Sequence, residues 1–405
     1  MKAVVFHDIG DIRLEDVPEP RIEDPNDAIV RITGSAICGT DLHMVRGTMP
    51  DMEPGTILGH EAVGIVEELG SNVRDLAVGD RVVVPSTIAC GYCSYCRAGY
   101  FSQCDNANPN GPHAGTCSFG GPKSTGSING LQAELARVPF ANVGLVKIPD
   151  SITDEQALML SDIFPTGYFG ADLAHIHPGH TVAVFGCGPV GQFAIISALL
   201  MGAGRVLAVD CIDPRLERAR DNGAEVINFE KENAVDTIMD LTGGIGTDRA
   251  IDAVGIDAMH PHSPPAVALS EHELEQFEEE VQELVPEQFR AEKKGKPWHP
   301  GDAPSQALQW AVQSLAKAGT LAVIGVYPEN MRFFPTGKAM LKNLTIRAGN
   351  CHHRKYIPLL LQIVSAGSVK PERVITQEQP IASALDAYRM FDQKKAGWLK
   401  VQLRP

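Results

Sequence analysis

Four cysteines lie close together between Ile88 and Cys104, in the stretch IACGYCSYCRAGYFSQC. Their spacing, C-x2-C-x2-C-x7-C, provides four soft ligands that could converge on one tetrahedral zinc ion at about 2.3 Å. Disulfide bonds are disfavoured, because bridges between cysteines only three residues apart would strain the bond geometry. Unrelated free thiols are the remaining alternative. We therefore predict a structural zinc site with no open coordination position, formed by Cys90, Cys93, Cys96 and Cys104.

Two upstream stretches contain a second set of metal-binding residue types. AICGTDLH contains Cys38, Thr40 and His43, and LGHEAVG contains His60 and Glu61. Each of these residues taken singly is more often structural than catalytic. Their order, C-G-T-D-x-H, then G-H-E, then the four-cysteine loop, resembles the zinc-dependent alcohol dehydrogenases of the medium-chain dehydrogenase/reductase family. The resemblance extends over nearly the whole chain, apart from one insert.

This resemblance implies a catalytic zinc bound by Cys38 and His60, with Glu61 beside it as an alternative ligand or a neighbouring carboxylate. The third ligand of the family is often a cysteine before a T-G-Y sequence, but MLSDIFPTGYFGA has Asp162 there. The branch similar to glutathione-independent formaldehyde dehydrogenase carries aspartate at this place, and aspartate is a legitimate zinc ligand. The alternative is that Asp162 only caps a helix beginning near Ile163. Three protein ligands leave one coordination position open for water or substrate.

The stretch TVAVFGCGPVGQFAIISALLMGAGRVLAVD predicts a dinucleotide-binding unit. An apolar strand leads into a G-x-G-x-x-G turn and a helix, and a second strand ends at Asp210. This acidic residue would bind the adenosine ribose and repel a 2′-phosphate, which favours NAD over NADP; Arg215 downstream weakens that preference. The glycines provide a tight turn, close approach to the pyrophosphate and close helix–strand packing. The predicted cofactor-binding residues of this turn are Gly186, Gly188, Pro189, Val190 and Gly191.

Strand and helix patterns keep alternating after this unit, which predicts an α/β doubly wound parallel sheet. SQALQWAVQSLAKAG is predicted to be a helix within it. The first third instead contains short strands punctuated by Gly and Pro, similar to the GroES-like β-barrel of the family. The predicted organisation is a GroES-like catalytic domain at 1–158, completed by 351–405, and a Rossmann domain at 159–350. By family architecture, the active site would lie in the cleft between them.

An insert at about 256–304 departs from the family pattern. It starts with a Pro- and His-rich segment and continues into a strongly acidic stretch. Apolar residues recur there at spacings of three and four, at Leu274, Phe277, Val281 and Leu284. We expect an acidic surface helix docked by this stripe; covering the cofactor or contacting another subunit is the alternative.

The resemblance also assigns roles in the reaction. Thr40 would take the substrate proton and His43 would pass it to solvent. Residues that match positions beside the nicotinamide are Thr166, Ile324 and Val326. Lys400 matches a basic residue that reaches the pyrophosphate. The triplet His352-His353-Arg354 could approach the active site, although some of these side chains are expected to be solvated.

Composition limits the possible partners. The net charge of −15 argues against nucleic acid and anionic membranes, and the absence of a leader-like first segment predicts a cytoplasmic protein. We expect two zinc ions per chain, NAD, a small-molecule alcohol or aldehyde substrate, and a homo-oligomer, tetramer rather than dimer. The expected reaction is NAD-linked oxidation of a primary alcohol or aldehyde hydrate. Alternatives are a polyol or threonine-type dehydrogenase, an aldehyde dismutase with tightly held NAD, and a non-catalytic zinc-stapled nucleotide sensor.

Overall fold

The computed structural model describes residues 1–262, 269–290 and 297–405. Among these residues, no helix combines the length and the apolar composition that crossing a membrane requires. The β-strands are β1 (Lys2–Asp8), β2 (Asp11–Asp16), β3 (Ala28–Ile37), β4 (Ala62–Leu69), β5 (Arg81–Val84), β6 (Leu135–Val138), β7 (Val146–Lys147), β8 (Thr181–Phe185), β9 (Arg205–Asp210), β10 (Glu225–Asn228), β11 (Thr247–Asp252), β12 (Leu315–Val323), β13 (Thr345–Ala348), β14 (Gln377–Pro380) and β15 (Val401–Arg404).

The α-helices connect and cover these strands. They are α1 (Gly39–Arg46), α2 (Ser94–Arg97), α3 (Ala141–Gly144), α4 (Asp154–Leu158), α5 (Ile163–Leu173), α6 (Pro189–Leu200), α7 (Asp213–Asp221), α8 (Ala234–Leu241), α9 (Glu271–Leu284), α10 (Gln306–Ser314), α11 (Thr336–Leu341), α12 (His353–Ser365) and α13 (Ala384–Asp392).

The chain divides into two compact units. The first comprises Met1–Pro165 and Asn350–Pro405, together with Pro297 and Trp298, and the second comprises the other described residues between Thr166 and Gly349. The first unit is the GroES-like one. Its main sheet has the order β14-β15-β3-β4-β5-β7, with β6 also paired to β3, and a separate hairpin joins β1 to β2.

The second unit is a Rossmann-type doubly wound sheet with the order β10-β9-β8-β11-β12-β13, and all of its pairs are parallel. Successive residues of a strand face opposite sides of a sheet. Accordingly, Val182 and Val184 of β8 enter one buried cluster and Ala183 and Phe185 enter another. The sheet is therefore covered on both faces, as a parallel sheet requires.

Two expectations about this unit need correction. The predicted helix SQALQWAVQSLAKAG is helical only to Ser314, because Leu315 already pairs with Thr247 and begins β12. The acidic helix α9 buries Phe277 and Leu284 as expected, but Leu274 is 40% exposed. Glu280, in the acidic stretch, is instead fully buried and accepts hydrogen bonds from the backbone and hydroxyl of Ser305.

Candidate metal centres and cofactor site

Strand pairing in the first unit explains why distant parts of the sequence meet. Cys38 directly follows β3, and His60 and Glu61 directly precede β4, to which β3 is paired antiparallel with Ser35 opposite Ala62. The end of one strand and the start of the other therefore adjoin. Lys400 arrives at the same place, since it precedes β15, whose Val401 lies opposite Ile37 of β3.

Asp162 reaches this end of the sheet from another direction. Strand β5 pairs with β4, with Val84 opposite Ala62, and the chain after β5 donates a hydrogen bond from Ser86 N to Ser161 O at 3.0 Å. The residue before α5 is thereby held next to the start of β4. Ligand atoms of four buried residues, Cys38, His60, Glu61 and Asp162, all lie within 4.8 Å of one another.

The distances in this cluster fit a tetrahedral zinc ion. Ligand atoms bound at about 2.0–2.3 Å to one tetrahedral zinc lie roughly 3.3–3.8 Å apart. Oδ2 of Asp162 lies 3.7 Å from Sγ of Cys38 and 3.4 Å from Nε2 of His60. Oε2 of Glu61 is buried without a hydrogen-bond partner among the described residues, and a cation bound in this cluster would satisfy it.

The charge balance of the cluster also favours a cation. Burial raises the pKa of the Cys38 thiol, and the negative charge of Glu61 adds to this effect. Burial opposes a charge on Asp162 too, but hydrogen bonds with His353 and His60 hold the pKa of its carboxyl well below the usual value. Several acidic groups therefore share a buried space, and a divalent cation would stabilise their charged forms.

Neighbouring side chains orient the candidate ligands. Nδ1 of His60 lies 3.1 Å from Oδ1 of Asp41, whose other carboxylate oxygen accepts the backbone N–H of Cys38 at 2.9 Å. His353 is hydrogen bonded to Oδ1 of Asp162 through Nε2 at 2.7 Å, and its Nδ1 lies 3.1 Å from the hydroxyl of Thr87. A carboxylate on the far nitrogen of a zinc-binding histidine is the usual supporting arrangement.

Sequence reasoning missed two of these supports. Asp41 is the aspartate of the C-G-T-D motif, three residues after Cys38. An acidic side chain at the third position of a helix commonly accepts the backbone N–H of the residue preceding the helix, so this contact could have been predicted. His353 belongs to the triplet expected to be partly solvated; that expectation is wrong for both histidines, because His352 and His353 are buried. The ring of His352 contacts the hydroxyl of Ser102 at 2.8 Å.

Lys400 is also placed in this cluster. Its side chain is fully buried, and Nζ donates to Oε1 of Glu61 at 2.6 Å and to the carbonyl of Ile37 at 3.1 Å. The partners seen here are therefore a carboxylate and a backbone carbonyl. Contact of Lys400 with a pyrophosphate stays a prediction.

The predicted proton-relay residues lie on α1. Thr40 is half-buried at its first turn, with its hydroxyl 4.0 Å from Sγ of Cys38. His43 is three residues further on the same helix face and is buried, with Nδ1 3.1 Å from the hydroxyl of Thr48. The hydroxyl of Thr40 therefore adjoins the Cys38 thiol, while the imidazole of His43 contacts Thr48.

The four-cysteine loop lies between β5 and β6, and Cys90, Cys93, Cys96 and Cys104 converge within 4.8 Å. Sγ of Cys90 is 4.0 Å from Sγ of Cys96. Backbone N–H groups donate to these sulfurs, among them Cys90 to Cys104 at 3.2 Å and Cys96 to Cys93 at 3.4 Å. Although burial opposes it, the N–H of Cys96 helps lower the pKa of Cys93 to about 7. The convergence of the four sulfurs fits one tetrahedral cation.

In the second unit, the glycine-rich turn has the form required to approach a phosphate. Gly186 has φ +89°, and a Cβ at Gly191 would lie 1.9 Å from the carbonyl oxygen of Gly186. A Cβ at Gly188 would instead meet nothing nearer than Nη1 of Arg215 at 3.8 Å. Gly188 precedes α6, and because Pro189 at its first position has no N–H, the unpaired N–H groups of this helix end would come from Val190 and Gly191. The turn fits a dinucleotide pyrophosphate.

Asp210, Ile324 and Val326 lie at the carboxyl ends of strands in the same sheet. Asp210 ends β9 and is buried; its Oδ2 accepts the N–H of Cys187 at 2.7 Å, which ties it to the glycine-rich turn. Ile324 and Val326 follow β12 and are half-buried, and Thr166 lies on α5. Ligands of open parallel sheets bind at this edge.

Comparisons with known proteins agree with both units. The alcohol dehydrogenase GroES-like domain matches residues 24–150, and the zinc-binding dehydrogenase domain matches residues 189–270. An uncharacterized zinc-type alcohol dehydrogenase-like protein of Bacillus subtilis is 39% identical over 409 residues, with 100% of each chain covered. Glutathione-independent formaldehyde dehydrogenase of Pseudomonas aeruginosa is 38% identical over 274 residues, which are 65% of this chain and 67% of that protein.

Among solved structures, the alcohol dehydrogenase TADH from Thermus sp. ATN1 has a TM-score of 0.80 and 34% identity, covering 100% of this chain and 99% of that one. The likeness therefore extends through both units and the insert region. This chain belongs to the zinc-dependent medium-chain alcohol dehydrogenase family.

Proposed function

We propose that this oxidoreductase transfers a hydride between a small primary alcohol or aldehyde hydrate and NAD. The observation that carries the proposal is the convergence of Cys38, His60 and Asp162 within one buried cluster. These side chains would bind a catalytic zinc and leave a coordination position for substrate. When bound, zinc supplies a Lewis acid for the substrate hydroxyl, and NAD supplies the hydride acceptor.

The protein's own residues would position the substrate and move its proton. The hydroxyl of Thr40 would accept a hydrogen bond from the substrate hydroxyl, and its distance of 4.0 Å from Sγ of Cys38 supports this role. His43 is a suitable next proton acceptor, because imidazole titrates near neutral pH. Since His43 and Asp162 are both buried, proton release depends on ordered side chains rather than on bulk water at the reacting atoms.

Asp162 gives the site a carboxylate where the family often has a second thiolate. A carboxylate donates less charge than a thiolate and would leave the bound metal a stronger electron acceptor. The hydrogen bond from His353 fixes one carboxylate oxygen, so that the other faces Cys38 and His60. The similarity to a formaldehyde dehydrogenase of Pseudomonas aeruginosa supports a small substrate of this type.

Asp210 supports NAD rather than NADP. Its carboxylate ends β9 beside the glycine-rich turn, where it would accept hydrogen bonds from ribose hydroxyls and repel a 2′-phosphate. Binding of a second zinc by the four-cysteine loop is a further part of the proposal, supported by the spacing and convergence of the sulfurs. Homotetramer formation and a cytoplasmic location are also proposed.

A nicotinamide absorbance assay tests the proposal. Purified protein is assayed with small primary alcohols, polyols, threonine and formaldehyde, each with NAD and with NADP. Turnover of primary alcohols or formaldehyde with added NAD would support it, whereas polyol or threonine turnover would indicate the alternative dehydrogenases. Conversion of formaldehyde without added NAD, by protein that retains nucleotide through purification, would indicate a dismutase. Inactivity with the entire panel after zinc loading would contradict an enzymatic role.

A further inference from the structure

The Rossmann-type unit contains a third group of metal-binding side chains, where the insert leaves and rejoins the fold. Ligand atoms of His260, His262 and Asp302 lie within 4.8 Å of one another. Both histidines lie before α9 and the aspartate lies after it, 40 positions beyond His262. None of the roles assigned above to zinc, NAD or the proton relay uses these residues.

Hydrogen bonds direct both imidazoles towards the same point. Nδ1 of His260 lies 2.9 Å from the carbonyl oxygen of Pro261, and Nδ1 of His262 lies 3.2 Å from Oε1 of Glu230. The carbonyl oxygen of Pro261 can only accept, so a neutral His260 carries its hydrogen on Nδ1 and has a lone pair on Nε2. His262 has a carboxylate oxygen at each ring nitrogen, 3.2 Å from Nδ1 and 2.7 Å from Nε2, so its Nε2 is open to a cation once the hydrogen is on Nδ1.

Nε2 of both histidines faces the same carboxylate oxygen of Asp302. Oδ2 of Asp302 lies 2.7 Å from Nε2 of His262 and 3.6 Å from Nε2 of His260. Acceptors that face one another repel unless a proton or a cation lies between them. Although burial opposes it, hydrogen bonds to Asp302 and Glu230 raise the pKa of His262, so a proton can satisfy that nitrogen. A metal ion would satisfy both nitrogens and the carboxylate together.

The surroundings resemble those of a supported metal site. A carboxylate on the far nitrogen, as Glu230 provides for His262, is the usual partner of a ligating histidine. The ring of His260 is stacked on Phe277 of α9, with an interplanar angle of 9°. Asp302 also accepts the backbone N–H of His260 at 3.1 Å. The side chains of His262 and Asp302 are 44% and 41% exposed, which leaves them accessible and able to separate slightly around an ion.

We propose that His260, His262 and Asp302 bind an additional divalent transition-metal ion, with zinc as the best match. Two imidazoles and one carboxylate suit zinc, and water would complete the coordination shell. The ion would fasten the two ends of the insert to each other, while Glu230, two residues after β10, connects the site to the parallel sheet. Its role is that of a staple for the insert and does not depend on the catalytic chemistry.

Equilibrium dialysis of the zinc-loaded protein against low micromolar free Zn²⁺, followed by metal analysis, tests this site. We expect one zinc per chain beyond those held by the two cysteine-containing clusters, and a higher Tm at the same free Zn²⁺. His262→Ala and Asp302→Asn should each lose the extra zinc, and Glu230→Gln should weaken its binding roughly ten- to a hundredfold. His272→Ala, on the exposed side of α9, is the matched control and should retain it.

A second histidine cluster is the alternative binding site for an extra zinc. Nδ1 of His175 lies 3.1 Å from Nε2 of His177, whose backbone N–H donates to Nδ1 of His180. Loss of the extra zinc in His177→Ala, with retention in both His262→Ala and Asp302→Asn, would assign it to that cluster and overturn the proposal. Absence of any extra zinc in the unmodified protein would overturn it as well.

Discussion

Nζ of Lys400 lies 2.6 Å from Oε1 of Glu61, and both side chains are fully buried beside the cluster formed by Cys38, His60 and Asp162. Burial raises the pKa of the Glu61 carboxyl, while the charge of Lys400 opposes that rise. The lysine thus favours the charged form of this carboxyl against the effect of burial. It binds Oε1 of Glu61, while Oε2 is buried without a hydrogen-bond partner among the described residues.

Lys400→Met should destabilise the protein, because it leaves the Glu61 carboxylate buried without its partner. We expect the free energy of unfolding to fall by about 3–5 kcal/mol, as is typical when one member of a buried ion pair is removed. Urea unfolding of the zinc-loaded protein measures the loss. The double variant Lys400→Met/Glu61→Gln should recover a large part of it; equal losses in the single and double variants would show that the pair is not coupled.

Asp162→Ala should remove the zinc of the buried cluster and abolish turnover while leaving the four-cysteine site filled. Metal analysis should give one zinc per chain fewer than in the unmodified protein. Asp162→Cys is the matched control, since it supplies the thiolate that the family often uses, and it should retain the metal. Cys93→Ala should have the complementary effect, losing the four-cysteine zinc and stability, because metal binding is coupled to folding at such sites.

Asp210→Gly should narrow or invert the preference for NAD over NADP, because it removes the carboxylate that repels a 2′-phosphate. The variant also loses the hydrogen bond to the N–H of Cys187 and should therefore bind both cofactors more weakly. The ratio of kcat/KM with NAD to kcat/KM with NADP, measured for the variant and the unmodified protein, gives the preference. Equal use of both cofactors by the unmodified protein would contradict the role of Asp210.

His43→Ala should keep both zinc ions and lower the rate, most visibly near neutral pH, because an external base must then replace the imidazole. Rising buffer-base concentration at constant pH should partly restore the rate of the variant and leave the unmodified protein unaffected. Thr48→Val, which removes the hydroxyl 3.1 Å from Nδ1, should show a smaller loss. An unchanged pH profile in His43→Ala would remove His43 from the relay.

Glu280 provides a pH-dependent test of the insert. Burial raises the pKa of its carboxyl above the ordinary value of 4.5, although Ser305 and Gln276 donate hydrogen bonds to it. The folded chain therefore holds this proton more tightly than the unfolded chain. The resulting stabilisation is complete below the unfolded pKa and is lost as pH rises through the folded pKa.

The Tm of the unmodified protein relative to Glu280→Gln should accordingly decrease as pH rises above 4.5, the ordinary pKa of this carboxyl. Glu278→Gln, on the exposed face of the same helix, removes an equal charge and should show no such trend. A constant difference between the unmodified protein and Glu280→Gln over this range would contradict the burial of a titrating carboxyl.

The sequence predicts the candidate metal ligands better than it predicts the residues that orient them. Residue type and spacing suffice to predict that Cys90, Cys93, Cys96 and Cys104 converge, because four thiols in one short loop have few other uses. The contact between His353 and Asp162 joins residues 191 positions apart and depends on how α12 packs, which no local pattern records. The burial of Glu280 was likewise hidden, since its surrounding residues are acidic and Ser305 lies beyond the insert.

Anomalous diffraction at the zinc absorption edge from crystals of the zinc-loaded protein tests the central assignment most directly. One peak should lie within bonding distance of all four sulfurs of the cysteine loop, and a second within bonding distance of Cys38, His60 and Asp162. The second peak should lie about 2.0–2.2 Å from Oδ2 of Asp162. A peak bonded instead to Cys38, His60 and Glu61, with Asp162 turned away, would contradict the ligand assignment.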